Sequence, residues 1–222
     1  MHFTQLIILL IPLLALAAPN KHSINQRKDN ENEDNETRHC PKTIFAPSAP
    51  YTITASAPGH LIDNYRLNAG RQSFHLGGAT LSYCPQHVKG PACPPGNETV
   101  ILHTTGSIST IVPQKQWVDP SGRIGYTQDN SSFTPLGSLP FSFGYRKCPC
   151  EQYGHITTNV WGADGFMACP EFPGGLQAPP TWALYAAMSN ATVPSYHVTD
   201  CVKFDGLTTD YKGPLPAAWE YT

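Results

Sequence analysis

The chain is 222 residues long, 40% hydrophobic and 14% charged, with 22 Pro and 18 Gly. That composition is too apolar for a wholly disordered protein. With 14 Lys and Arg against 16 Asp and Glu, the net charge is −2; no broad basic surface is left for a phosphate backbone, which argues against nucleic acid as a partner.

Residues 6–17 are an apolar run interrupted by Pro12 and closed by the small-x-small pattern Ala15-Leu16-Ala17. The run is shorter than the roughly 20 residues that span a bilayer and predicts a secretory signal peptide over residues 1–17. Residues 20–39 hold nine of the chain's 30 charged residues and a single large aliphatic, Ile24. Burial there cannot offset the entropy of ordering the chain. Residues 18–39 are therefore expected to be a disordered charged segment, followed by a single domain over 40–222. The tail Leu215–Thr222 lacks the apolar stretch of a lipid-anchor signal, so the expected product is secreted and extracellular, without a membrane anchor.

Beyond Cys40 the pattern is one of short alternating runs: Tyr51–Ala55, Phe74–Leu76, Phe141–Tyr145, Ile156–Val160 and Trp182–Ala186. Alternation at period two, bounded by Gly and Pro, predicts half-buried β-strands. No segment joins a helix cap to a Pro- and Gly-free apolar period of 3.6. The domain is expected to be all-β, a compact sandwich or closed barrel of short antiparallel strands. A faint echo, with Leu81, Ile124 and Phe166 each following a Gly turn at similar spacing, offers a β-trefoil as the alternative.

Four sequons agree with export: Asn35-Glu-Thr37, Asn97-Glu-Thr99, Asn130-Ser-Ser132 and Asn190-Ala-Thr192. Each lies in a polar or turn-rich stretch suited to a glycosylated surface loop. The seven cysteines should pair in an oxidising compartment, with one left over. Cys84 and Cys93 flank a turn-rich octapeptide and can close a small loop; Cys169 and Cys201 follow two strand-like segments. Cys40, Cys148 and Cys150 remain for one bridge and one unpaired thiol, which is available for an intermolecular disulfide.

Catalytic and metal chemistry find little support. Cys84-Pro-Gln-His87, and Cys148-Pro-Cys150 near His155, have ligand-like spacing, but an oxidising compartment favours bridges between the same cysteines. Nucleophile-elbow, zincin and P-loop motifs are absent. His75 and His155 lie in strand-like runs and read as solvent-facing sheet residues. Asp119, Asp164, Asp205 and Asp210 include enough carboxylates for glycoside cleavage, yet Asp119 and Asp164 sit in Gly turns where Asp serves local hydrogen bonding. No cofactor or metal is expected. Among the tryptophans, Trp161 and Trp182 read as sheet core. Trp117 and Trp219 are the candidate glycan-contact aromatics, able to stack on the apolar face of a sugar, although Trp219 is equally placed to pin the last strand.

The ordered pieces Leu67-Asn-Ala-Gly-Arg-Gln-Ser-Phe-His-Leu-Gly-Gly78, Ser82-Tyr-Cys-Pro85, Cys93-Pro-Pro-Gly-Asn97, Val118-Asp-Pro-Ser-Gly-Arg-Ile-Gly-Tyr-Thr127, Gly165-Phe-Met-Ala-Cys-Pro170 and Trp182-Ala-Leu-Tyr-Ala186 resemble the fungal PhiA-like cell wall proteins and the related fungal secreted IgE-binding proteins. The resemblance spans about Tyr51 to Asp210. It implies a small exported wall protein without catalytic activity, a Cys169–Cys201 bridge, and a structural role for the turn Asp119–Gly122. Segment 20–39, Cys40 and Lys147-Cys-Pro-Cys-Glu151 stand outside it.

The expected function is that of a glycosylated, non-enzymatic protein of the fungal cell wall, structural or developmental in role and antigenic through IgE binding. Its expected partners are wall polysaccharide or wall proteins. Two other readings are a soluble glycan-binding, lectin-like module and a wall-modifying glycoside hydrolase.

Overall fold

The computed structural model describes residues 49–88, 92–102, 107–141, 143–148, 151–171 and 181–222. The expected signal peptide, the charged segment, Asn35, Cys40 and Cys150 lie outside the described residues. The chain divides after His39, and every described element belongs to the unit Cys40–Thr222.

In chain order the strands begin with β1 (Tyr51–Ser56), β2 (Leu67–Gly70), β3 (Ser73–Leu76), β4 (Ser82–Tyr83), β5 (Ile101–Leu102), β6 (Ser107–Ile108) and β7 (Gln116–Val118). They continue with β8 (Ile124–Tyr126), β9 (Leu139–Pro140), β10 (Gly144–Arg146), β11 (Gly154–Thr157), β12 (Phe166–Glu171), β13 (Thr181–Ala186), β14 (Val202–Asp210) and β15 (Glu220–Tyr221). The all-β expectation holds. Alternation in β1 buries Tyr51, Ile53 and Ala55 and leaves Thr52, Thr54 and Ser56 half-exposed, as period two requires of a strand with one face on a core.

The sheet is antiparallel and does not close into a barrel; the arrangement is sandwich-like. The long strand β14 makes this possible by serving two groups of strands. Val202–Phe204 pair with β12, whereas Asp205–Asp210 pair with β1 along its whole length, Ser56 opposite Asp205 and Tyr51 opposite Asp210. Gly206 lies at this change of partner. A Cβ there would run into the Ile156 side chain and stand 3.4 Å from Ile53 Cγ2, so the bare Cα lets β11 and β1 close over β14.

From β12 the order continues through β13, β3, β8 and β7 to β9. The core lies between the two groups, with Tyr51, Ile53 and Ile156 from one and Phe74, Leu76, Ile124, Phe166 and Leu184 from the other in one apolar cluster. Rings carry much of it: Phe74–Tyr126 at 5.3 Å, Phe141–Phe143 at 5.1 Å and Phe143–Phe166 at 5.6 Å between centroids, all tilted or edge-on. Such offset geometries are the favoured ones for aromatic pairs.

Several local expectations are corrected. Leu81 is 40% exposed while Ile124 and Phe166 are buried, so the three supposed repeats do not contribute equivalent core positions and no trefoil forms. In the Phe141–Tyr145 run Gly144 and Tyr145 are strand, whereas Phe141 and Phe143 bury their rings from outside any strand. The Ile156–Val160 run ends as strand at Thr157 and turns into a short 3-10 segment, Val160–Gly162, in which Trp161 has a φ of 56°. The left-handed conformation at Trp161 and Gly162 breaks the alternation.

Candidate functional site

The second face of the β12–β13–β3–β8 sheet is where polar chemistry gathers. Ala183 stands opposite His75 and Cys169, which fixes Cys169 and Glu171 on β12, Thr181, Ala183 and Tyr185 on β13, and Ser73 and His75 on β3 to the face away from the core. One half of this face is covered by the connection between β13 and β14. Val193 is buried and Val198 partly buried in a second apolar cluster with Met167, Ala183 and Tyr185, and the Cys169–Cys201 disulfide spans the base of the connection.

The other half opens as a cleft of about 280 Å³ lined by Arg71, Ser73, His75, Arg123, Glu171 and Thr181. Each reaches it from a different piece of backbone. Arg71 follows β2, Arg123 precedes β8 and bridges to Tyr185, and Glu171 and Thr181 pair across the mouth of the β12–β13 hairpin. Thr181 Oγ1 donates to Glu171 Oε2 at 3.2 Å. His75 is only 9% exposed, correcting the solvent-facing expectation. Burial pushes its pKa below the usual imidazole value, against a raising influence from Glu171 and a ring hydrogen bond to the Ala79 carbonyl, while Arg71 lowers it further. Arg123 Nε is shielded from solvent and has no hydrogen-bond partner.

Glycines shape the walls. A Cβ on Gly70 would lie 3.0 Å from His75 Cε1 and 3.1 Å from Leu81 Cδ1, and one on Gly78, at φ +71°, would lie 3.3 Å from Thr181 Cγ2. A side chain at Gly78 would face both this crowding and the left-handed backbone penalty.

The expected site residues are placed as follows. Cys84 is bonded to Cys93 and Cys169 to Cys201; Cys148 is also disulfide-bonded. Cys84 therefore offers no thiolate for the spacing Cys84-Pro-Gln-His87. Among the described residues, no three His, Cys, Asp or Glu side chains gather as metal ligands would. Asn97, Asn130 and Asn190 are all exposed. Trp117 is buried at 6% exposure, which overturns its assignment as a glycan contact. It lies opposite Gly125, and its ring stands where a Cβ of Gly125 would be. Trp219 is half-buried, its carbonyl accepting from Val112 N at 3.0 Å. Trp161, expected in the core, is 47% exposed, whereas Trp182 packs partly buried against the core.

The four aspartates are engaged separately. Asp119 Oδ1 accepts from Ser121 N, Ser121 Oγ and Arg123 N at 2.9, 2.6 and 3.1 Å, a turn that aims Arg123. Asp164 meets Lys203 at 3.0 Å and Asp210 meets Lys212 at 3.1 Å on the surface. Asp205 pairs with His155 Nδ1 at 2.5 Å, with Glu151 3.7 Å from Nε2. His155 thus ties β11 to β14 rather than standing free in solvent.

Sequence reasoning missed Arg71, Arg123 and Glu171 as members of one site. The one local signal was Ser73 and His75 at period two on β3, directly after the turn that carries Arg71.

Fold and site define a disulfide-stapled all-β protein of sandwich type with a polar cleft on the outward face of one sheet. Residues 51–222 match the family of PhiA-like secreted proteins, and the chain belongs to that family. It is 40% identical over 179 residues to an uncharacterized secreted protein of Arthroderma benhamiae, a match covering 79% of this chain and 88% of the relative. No solved structure matches it. The protein is a secreted fungal protein.

Proposed function

We propose that this protein is a glycosylated, non-enzymatic component of the fungal cell wall, structural or developmental in role, held there by noncovalent contact with wall polysaccharide. The observation that carries this reading is a set of aromatic side chains left in solvent: Phe133 at 79%, Tyr196 at 87%, Tyr83 at 48% and Trp161 at 47% exposure. Exposed rings of this kind stack on the apolar faces of sugars. Noncovalent retention is favoured over a thiol anchor because five cysteines, Cys84, Cys93, Cys148, Cys169 and Cys201, already lie in disulfides. Glycans at Asn97, Asn130 and Asn190 would project from exposed positions, and IgE binding would be a property of this displayed surface rather than its physiological role.

A second reading, a soluble glycan-binding module released into the medium, is favoured by the polar cleft, since few convergent polar groups in a concave site are what a small ligand needs. Sequential extraction of walls separates the two. Release by hot detergent alone is the expected result. Release only after thiol is added would mean covalent anchoring, and protein found only in the medium would establish the soluble module.

A further inference from the structure

We propose that the cleft between β3, β8, β12 and β13 is a binding subsite for a saccharide unit that carries a carboxylate, such as a uronate. The inference names the ligand class for the glycan contact proposed above and rests on that reading.

Three observations converge. The first is charge. Arg71 and Arg123 bring two guanidinium groups to the cleft and Glu171 one carboxylate, while burial favours the neutral form of His75. The balance of one positive charge matches a monoanionic carboxylate better than a phosphate dianion, which Glu171 would also repel more strongly.

The second is the placing of a guanidinium. Arg123 lines the cleft, and its backbone is held by Asp119, whose Oδ1 accepts from Arg123 N at 3.1 Å. A carboxylate in the cleft would meet that side chain in the forked geometry that suits guanidinium.

The third is the shape and chemistry of the remaining wall. A volume of about 280 Å³ is at the small end for ligand pockets and accommodates roughly one sugar ring. Leu81, Ala79 and the bare Gly78 present an apolar side to ring C–H groups, and Glu171, Thr181 and Ser73 present oxygens to hydroxyls. The neutral imidazole of His75 offers one ring nitrogen as a donor and the other as an acceptor. Saccharide hydroxyls meet such mixed donors and acceptors; a simple inorganic anion would leave them unused.

The test is calorimetric titration of the secreted, glycosylated protein with a digalacturonate, a neutral glucose disaccharide and glucose 6-phosphate at low ionic strength. Saturable binding of the digalacturonate, at least tenfold tighter than the neutral sugar, is expected. Arg123→Gln and, at the exposed neighbouring position, Arg71→Gln should each weaken it tenfold or more, with unchanged circular dichroism and denaturation midpoint. Equal binding of the neutral sugar, tighter binding of glucose 6-phosphate, or full affinity in Arg71→Gln would overturn the proposal. The outcome is separable from that of wall extraction: a wall-retained protein that ignores uronate refutes the cleft alone, and a uronate-binding protein found only in the medium refutes wall retention alone.

Discussion

Cys169, at the middle of β12, is bonded to Cys201, the residue before β14, 32 positions later in the chain. The connection between them returns over the outward face of the sheet that Cys169 belongs to, and Val193 and Val198 pack there with Met167 and Tyr185. One bond therefore closes the second apolar cluster and delimits the cleft beside it.

Replacing both cysteines, Cys169→Ala with Cys201→Ala, should lower stability by about 3–4 kcal/mol on the loop-entropy account. Denaturation under non-reducing conditions would read this as a lower midpoint. Removing the shorter Cys84–Cys93 loop, with a separation of nine residues, should cost less, about 2–3 kcal/mol. The reverse order would contradict the role given to the longer bridge.

Gln114, fully buried, ties the C-terminal strand to the body. Its Nε2 donates to the carbonyls of Thr127 at 3.0 Å and Tyr221 at 2.8 Å, and its Oε1 accepts from Tyr221 N at 2.8 Å. Gln114→Leu keeps the volume but strands three buried backbone groups, so a loss of about 2–5 kcal/mol is expected. Hydrogen exchange should show the protection of the Tyr221 amide falling first.

Thr99 lies both in a buried hydrogen-bond pair and in a sequon. Buried at 3% exposure, Thr99 Oγ1 accepts from Ala69 N at 2.6 Å and meets Thr80 Oγ1 at 3.0 Å, while the same residue completes the sequon of the exposed Asn97. Asn97→Gln should remove one glycan and leave the midpoint within about 0.5 kcal/mol. Thr99→Ser should keep both glycan and fold, and Thr99→Ala should lose the glycan and about 1–3 kcal/mol with it. Intact mass before and after deglycosylation, together with thermal unfolding, separates these cases.

His75 makes stability depend on pH. Its pKa is lowered from 6.5 in the folded protein, chiefly by burial, so between the two values the unfolded chain binds the extra proton. Stability is then fully present above about 6.5 and is lost as pH falls through the unfolded value toward the folded one. Glu171 from β12 opposes the shift and Arg71 reinforces it; Arg123, just before β8, lines the same cleft. The slope of midpoint against pH in this window should flatten in His75→Gln, and an unchanged slope would count against the assignment.

Gly206 tests the crossing of the two strand groups. Gly206→Ala should destabilise by about 1–3 kcal/mol through overpacking against Ile156. If that clash is the cause, Ile156→Ala, which removes both the Cγ1 and the Cδ1 that the new Cβ would meet, should cost less in the double variant than the sum of the single losses, seen as positive coupling in a double-mutant cycle.

The amino-acid pattern by itself determined the class of structure and the inward face of its clearest strands. Tyr51, Ile53 and Ala55 alternate with Thr52, Thr54 and Ser56, and that local period suffices to orient β1 because successive side chains of a strand point to opposite faces. Spacing and turn residues likewise pointed to the loop that the Cys84–Cys93 bridge closes. What alternation cannot report is whether the second face is wet. His75 read as solvent-facing, yet Gly70, Gly78 and residues more than 90 positions further along, Glu171 and Thr181, enclose it. Trp117 read as free to meet a sugar, but pairing with β8 laid its ring over Gly125. Trp161 read as core until a left-handed turn put it outside. Arg71, Arg123 and Glu171 share a cleft only because β3 pairs with β8 and β13, and β13 with β12. The burial of an outward face depends on register and on what long-range closure brings over it, so only the tertiary structure decided the site.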